Sequence, residues 1–519
     1  MNAEVPAPAA WWTRRPFVLA MLALVALPLL WPSLPPLIDL PSHVGSYHLA
    51  LSLPASATLS QWYEFHWQWL GNLGMELLVP PLAKAVGVEL ATKLIVIGVV
   101  LLTAAGMLWI AREIHGELPP AAALALPLAY GYPLHFGFLN YCLSMALMLL
   151  AFGLWLHLGR RGWIARRAVL FAALAPAVWV AHAIGWALLA VACGAAELQR
   201  QLAGGARGPA ALARVTLACA SLATPVLLMA ALPHHGATRA SGWLVLPELA
   251  KWLVTLFRDR WIAVDLATAA VFFALLAVAA MGRAGLRLER RLAVPALAVF
   301  AVFVLAPQSI NDSGFVNGRI APGALALLAL AIAAAPGATR RQQHLAALAA
   351  TTFLVVRMAL TTASLALYSA SWDAHLKALD ALAPGSRVVA FSPVPCGHGF
   401  ANWYTPRVYH LPSLAIVRKD AFANSEWQID GLQLLHVKYA AARPFDGDPS
   451  QTITLGCDVP GFRRYDVALA TFPRQAFDAL WLLDVPRAQW PRDPGLALVW
   501  ADETSALFHI SHVPPPAGH

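Results

Sequence analysis

The chain has 519 residues, 59% of them hydrophobic and only 12% charged, with a formal net charge of +9. A soluble domain carries roughly a quarter charged residues, and no single core of this size could hide so much apolar surface, so a polytopic membrane protein is expected. The positive charge falls in short clusters between apolar runs, which marks membrane topology and excludes a nucleic-acid groove.

Arg14 and Arg15 precede an apolar run from Phe17 to Trp31. No small-residue cleavage site follows; Pro32, Pro35 and Pro36 come instead. A retained signal-anchor helix therefore fits better than a cleaved signal peptide. Directly after it stands Leu37-Ile38-Asp39-Leu40-Pro41-Ser42-His43, which places a carboxylate and an imidazole close to the outer membrane surface. A carboxylate there could accept a proton from an acceptor hydroxyl or amine as it attacks an activated sugar carbon. Asp39 could equally cap the short helix ahead. His43, if that segment is helical, shares a face with Asp39 and could orient it or contact a phosphate.

The first outer loop, about residues 34–90, crowds Trp62, Tyr63, Phe65, Trp67 and Trp69 beside Glu64 and His66. Such aromatics prefer the headgroup level, so an interfacial helix along the membrane surface is expected. Glu76 follows Gly71-Asn72-Leu73-Gly74. It could hold a divalent cation or an acceptor group, or be an ordinary solvated acid.

Runs able to cross a ~30 Å hydrocarbon core fall near residues 16–33, 91–111, 118–132, 137–157, 168–181, 184–198, 214–232, 263–282, 292–306, 321–336 and 344–369, about eleven in all. With the N-terminus inside, the inside segments hold Arg14/Arg15, Arg112, Arg160/Arg161/Arg166/Arg167, Arg200/Arg207/Arg214, Arg283/Arg287/Arg290/Arg291 and Arg340/Arg341. That agrees with the positive-inside bias. Arg258 and Arg260, beside Asp259, are the exception. Outside loops collect acids, amides and imidazoles, among them His135, His182, His234, His235, Asp265, Asn311, Asp312 and Asn317. If the protein has an active face, it is this outer one.

His182 sits between two spans and could be only a polar hinge. Arg319 closes the loop that begins at Asn311, at the start of a span, and Arg357 falls near the middle of the last span. A mid-bilayer arginine needs a partner or a wet cavity; a lipid-linked phosphate is one such partner, a buried Asp or a helix C-terminus another.

From about residue 370 the composition turns to that of a soluble domain. Strand-like runs at 387–391, 467–470, 479–483, 496–500 and 506–510 alternate with helical segments such as 372–383, and the last two runs read as a hairpin through Asp502-Glu503-Thr504-Ser505. The expected architecture is an α-helical polytopic membrane domain over 1–369 and a small extracytoplasmic α/β domain over 370–519. Cys142, Cys193 and Cys219 lie in apolar runs as small core residues. Cys396 and Cys457 are the two in the tail, and an oxidising compartment would let them pair. No CxxC, HExxH, P-loop or GxSxG motif occurs, which argues against zinc hydrolase, ATPase and serine esterase chemistry.

A first helix, an acidic motif in a long outer loop, about ten further spans and an outer α/β domain together resemble the GT-C class of membrane glycosyltransferases. More closely, the chain resembles a group of uncharacterised bacterial integral membrane proteins. The shared residues are the Asp39-Leu40-Pro41-Ser42-His43 motif, Gly137-Phe138-Leu139-Asn140-Tyr141, and His182 with Glu197. The segment His410-Leu411-Pro412-Ser413-Leu414-Ala415-Ile416-Val417 with Asp420-Ala421-Phe422 belongs to the same pattern. Many GT-C enzymes carry paired acids at the first-loop motif, whereas Asp39 stands alone. The resemblance implies sugar transfer from a polyprenyl-phosphate donor to a lipid, glycan or protein acceptor, at the outer face of a bacterial inner membrane. Asp39 would then be the catalytic carboxylate by position. On that reading His43 assists it, Glu76, His182, Arg319 and Arg357 contact substrate, and a divalent cation is the one cofactor considered. A lipid or solute translocase and a catalytically decayed scaffold are the competing readings.

Overall fold

The computed structural model describes residues 10–232, 239–310, 313–397, 403–429 and 433–512. His234, His235, Asn311 and Asp312 lie outside the described residues. The chain is mostly helical. Arg15–Leu30 (α1) begins with Pro16 in its first turn, where a missing N–H leaves no ladder bond unmade. Leu40–Ser52 (α2) and Gly74–Val86 (α3) are short helices of the segment that follows α1, and Tyr63–Phe65 (β1) lies between them. Val88–His115 (α4) follows, then Tyr132–Phe136 (α5) and Leu139–Arg160 (α6). Ile164–Ala181 (α7) and Ala183–Ala203 (α8) turn about His182. Next come Gly208–Cys219 (α9), Thr224–Ala231 (α10), Leu246–Val254 (α11) and Ile262–Ala280 (α12). Arg290–Leu305 (α13), Val316–Leu330 (α14) and Arg340–His375 (α15) complete the bundle. A capping box between Thr339 and Gln342 starts α15.

Among the described residues, six helical stretches are long and apolar enough to cross a membrane: α4, α6, α7, the run Gly208–Ala231, α12 and the run Arg340–Ala381; α1 and α14 are shorter apolar helices. The span expected at 118–132 is no α-helix. Ala122–Tyr130 is a 3₁₀ segment, almost wholly buried. Pro119 and Pro120 precede it and Pro127 interrupts it, and proline cannot donate to an α-helical ladder.

The arginine-rich loops meet at one end of the bundle. Arg291 Nη2 donates to Ile114 O at 2.6 Å, His115 Nε2 lies 2.9 Å from Leu330 O, and the rings of Trp12 and His344 touch at 5.2 Å. Two of these loops pair as strands, Leu286–Leu288 with Ile332–Ala334. The polar loops meet at the other end: Asp39 N donates to Phe136 O, Leu73 N to Val180 O and Gln308 N to Ser241 O.

The remainder of the chain, beyond α15, packs on that second end. Its main sheet has the parallel core Arg387–Val394, Thr452–Thr454 and Ala479–Leu482, extended antiparallel by the hairpin Leu496–Ala501 and Ala506–Ile510. Ala479–Leu482 is buried throughout, as expected of a central strand covered on both faces. Phe422–Ala423 joins the same sheet, and Ser413–Lys419 (α16) packs on α2. Two sequence expectations fail here. Residues 467–470 belong to a helix, Tyr465–Thr471, and 372–383 is the end of α15 plus a 3₁₀ turn rather than a separate helix. Cys396 and Cys457 are joined by a disulfide.

The aromatic run between α2 and α3 is no interfacial helix. β1 pairs antiparallel with Leu435–Val437, and Leu49, Leu59, Trp62 and Tyr63 enter the core of the C-terminal sheet. Trp67 and Trp69 remain exposed.

Candidate active site

Asp39 ends the turn before α2. It occupies the N-cap position, yet its side chain makes no capping hydrogen bond, so its carboxylate is free for other work. Its backbone is clamped by Phe136 O and pressed against Gly137, which adopts φ +104°; a Cβ there would stand 3.0 Å from Asp39 Cβ and N. Glycine is the residue that tolerates both demands.

The imidazole paired with this carboxylate is His410, not His43. His410 Nε2 lies 3.8 Å from Asp39 Oδ1 and 3.8 Å from Asp448 Oδ1. Burial raises the Asp39 carboxyl well above the usual range; Asp448 pushes the same way and Arg319 opposes it. His43 lies one turn along α2, where its ring stacks on Tyr47 and meets the edge of Trp427, which also contacts His410. Burial and the neighbouring His410 lower the His43 pKa to about 4, against a hydrogen bond to the Gly137 backbone. His43 is therefore neutral near pH 7 and carries no charge for a phosphate.

Ser42 and Gly45 on α2 receive a residue that sequence reasoning missed. Ser42 Oγ donates to Glu426 Oε2 at 2.9 Å, and Glu426 crowds the space where a Cβ on Gly45 would sit. Burial raises Glu426 to about 8, against the hydroxyls of Ser413 and Ser42. His410 and Ser413 belong to the tail segment that carried the family resemblance, which was the one available signal; Glu426 and Asp448 had none.

Glu76 is held by Asn140. Asn140 Nδ2 donates to Glu76 Oε2 at 2.8 Å and to Asn72 O at 3.0 Å, while its Oδ1 accepts from Met75 N at 2.6 Å. Burial raises Glu76 to about 7, with Asn140 opposing. His43, Glu76, Glu426 and Trp427 line one narrow cleft between the segment joining α1 to α4 and the C-terminal part. Glu76 is thus a half-buried, amide-clamped acid rather than a freely solvated one. Among the described residues no group of three His, Cys, Asp or Glu is arranged to hold a metal ion, so the cation considered for Glu76 finds no donor set there.

Arg319 lies over the Phe138 ring at 4.0 Å, and Tyr141 Oη donates to its carbonyl at 2.6 Å. Its Nη2 donates to Ser313 Oγ, whereas its Nε is buried without an acceptor among the described residues. It heads a narrow apolar cleft lined by α4, α6 and α14. His182 caps α8 by accepting from Ile184 N and meets the Tyr141 ring edge-on. Gly137-Phe138-Leu139-Asn140-Tyr141 is consequently the hub that brings Asp39, Glu76, His182 and Arg319 together.

Arg357 is elsewhere. Its Nη1 donates to Asp265 Oδ1 at 2.7 Å and its Nη2 to Phe257 O at 2.8 Å. Asp265 also accepts from Trp403 Nε1, and neighbouring Asp259 accepts from Arg407 and Ser364. Of the two partners considered for Arg357, the buried aspartate is the one present.

The fold is similar to that of ArnT from Cupriavidus metallidurans. The apo structure of that protein matches at a TM-score of 0.48 and 13% identity, covering 95% of this chain and 97% of the other. Its structure bound to undecaprenyl phosphate matches at 0.46 and 12%, covering 98% and 100%. No family model and no curated protein matches the chain.

Proposed function

We propose that the protein transfers a glycosyl group from a polyprenyl-phosphate donor to an acceptor at the end of the bundle that carries Asp39. The observation that carries this reading is the pairing of Arg319, at the head of an apolar cleft, with a nearly enclosed carboxyl that makes no capping bond. The apolar lining of that cleft suits prenyl carbons, and Arg319 Nε, buried without an acceptor among the described residues, suits the phosphate. Asp39 takes the acceptor proton as the glycosidic bond forms and the lipid phosphate departs. His182 and Glu76 flank the reacting centre through Tyr141 and Asn140. About eleven crossings, a cytoplasmic arginine-rich end and a periplasmic C-terminal domain over 370–519 complete the proposal, in a bacterial inner membrane. Arg357, the one feature favouring a translocase, is occupied by Asp265.

The test is transfer of label from undecaprenyl-phosphate sugars by the purified protein in nanodiscs. Asp39→Asn is expected to slow transfer by about 100-fold or more, the scale of a lost general base, while elution and thermal unfolding stay native. Transfer at the native rate in that variant would overturn the role of Asp39.

A further inference from the structure

His410 is placed to do more than accompany Asp39. Its Nδ1 lies 2.7 Å from Ser425 O; a carbonyl only accepts, so Nδ1 carries the proton and Nε2 of the neutral ring carries the lone pair. That lone pair lies equally far, 3.8 Å, from the carboxylates of Asp39 and Asp448. Both separations are just beyond hydrogen-bond reach, so a small rotation of the imidazole or of the Asp39 carboxylate brings either acid into contact without locking the ring to it. The two acids differ in surroundings. Asp39 is nearly enclosed, with 13% of its side chain accessible, whereas Asp448 is 31% accessible and lines a cavity of about 430 Å³ open to solvent. Gln451 Nε2 donates to Asp448 Oδ1 at 2.6 Å and fixes that carboxylate.

We propose that His410 and Asp448 are the proton exit of the active site. The inference rests on the glycosyltransferase reading. The acceptor O–H or N–H loses its proton to the Asp39 carboxylate as its heteroatom bonds to the anomeric carbon and the bond to the lipid phosphate breaks. Asp39 passes that proton to His410 Nε2, giving an imidazolium. The imidazolium returns the same Nε2 proton to Asp448, which releases it to water in the open cavity. The ring ends in its starting tautomer and Asp39 ends ionised, ready for the next turnover. Asp39 needs such an outlet because burial holds its proton tightly. The charged and titratable groups facing the relay are His43 from α2, Glu426 from the strand-end segment and Arg319 from α14 on the Asp39 side. The Trp427 ring contacts both imidazoles.

The variants His410→Asn, His410→Ala and Asp448→Asn separate a relay from a structural role. Asparagine keeps an amide N–H for Ser425 O but has no titratable nitrogen. In nanodiscs with a labelled donor, His410→Asn is expected to lower kcat about 10-fold or more, to leave the donor KM within about twofold, and to alter the pH profile. Added imidazole should restore His410→Ala, and Asp448→Asn should lower kcat in the same direction. Native kcat in His410→Asn, or a loss in His410→Ala that imidazole leaves untouched, would overturn the relay. The 15N shifts of His410 give a readout independent of turnover. A neutral ring protonated at Nδ1 is expected, and protonation at Nε2 would overturn the relay even if native protein transfers no sugar. Absent transfer by native protein would instead count against the enzyme reading itself.

Discussion

Glu76 and Glu426 are carboxyls folded into a cleft too dry to welcome their charge. Their pKa values stand at about 7 and about 8, raised chiefly by burial. In the unfolded chain both would ionise in the usual carboxylate range, so between about pH 5 and pH 8 the folded state binds more protons. Stability therefore falls as pH rises through that window. Thermal unfolding in detergent should show the midpoint dropping from pH 5 to pH 8, and Glu426→Gln should flatten the slope. A flat profile in the native protein would show the two acids ionised when folded. Asp39 follows the same logic in catalysis: it works as a base once ionised, so transfer should rise with pH.

At the scale of elements, Asn140 fastens α3 to α6. One side-chain amide satisfies the Met75 N–H at the start of α3, the Asn72 carbonyl and the Glu76 carboxyl. Leucine fills similar volume and offers none of these bonds, leaving buried polar groups unpaired. Asn140→Leu should lower unfolding free energy by about 1–3 kcal/mol, measured against native protein in the same detergent. The sequence marked Asn140 as part of a motif without saying what it held. Neither did it disclose β1, because three residues pairing with a strand more than 360 positions away leave no local period.

At the scale of the molecule, the segment from Trp403 to His410 straps the C-terminal part to the bundle. Arg407 donates to Asp259 and to Pro36 O, and its backbone carbonyl accepts from Trp372 Nε1; Trp403 reaches Asp265. Asp259 and Arg407 are both buried. Removing one member of a buried pair strands the other's charge, so Arg407→Met should destabilise by roughly 3–5 kcal/mol. The loss should appear as an earlier unfolding transition, and an unchanged midpoint would mean that Ser364 and Arg357 suffice for Asp259. The same strap delivers His410 to Asp39, which makes the site a joint product of both ends of the chain.

The sequence by itself determined what depends on neighbouring residues. Hydropathy over stretches of about twenty residues located the long apolar helices, two short apolar runs joined by a polar turn located the terminal hairpin, and the position of Asp39 just past the first helix marked the polar end. The tertiary structure alone decided which groups share a cavity. His410, Glu426 and Asp448 stand some 370 to 410 positions from Asp39, and Arg357 found Asp265 instead of the site. Such pairings are fixed by packing and by the cost of leaving buried charge unmatched, and neither leaves a mark in the local pattern of residues.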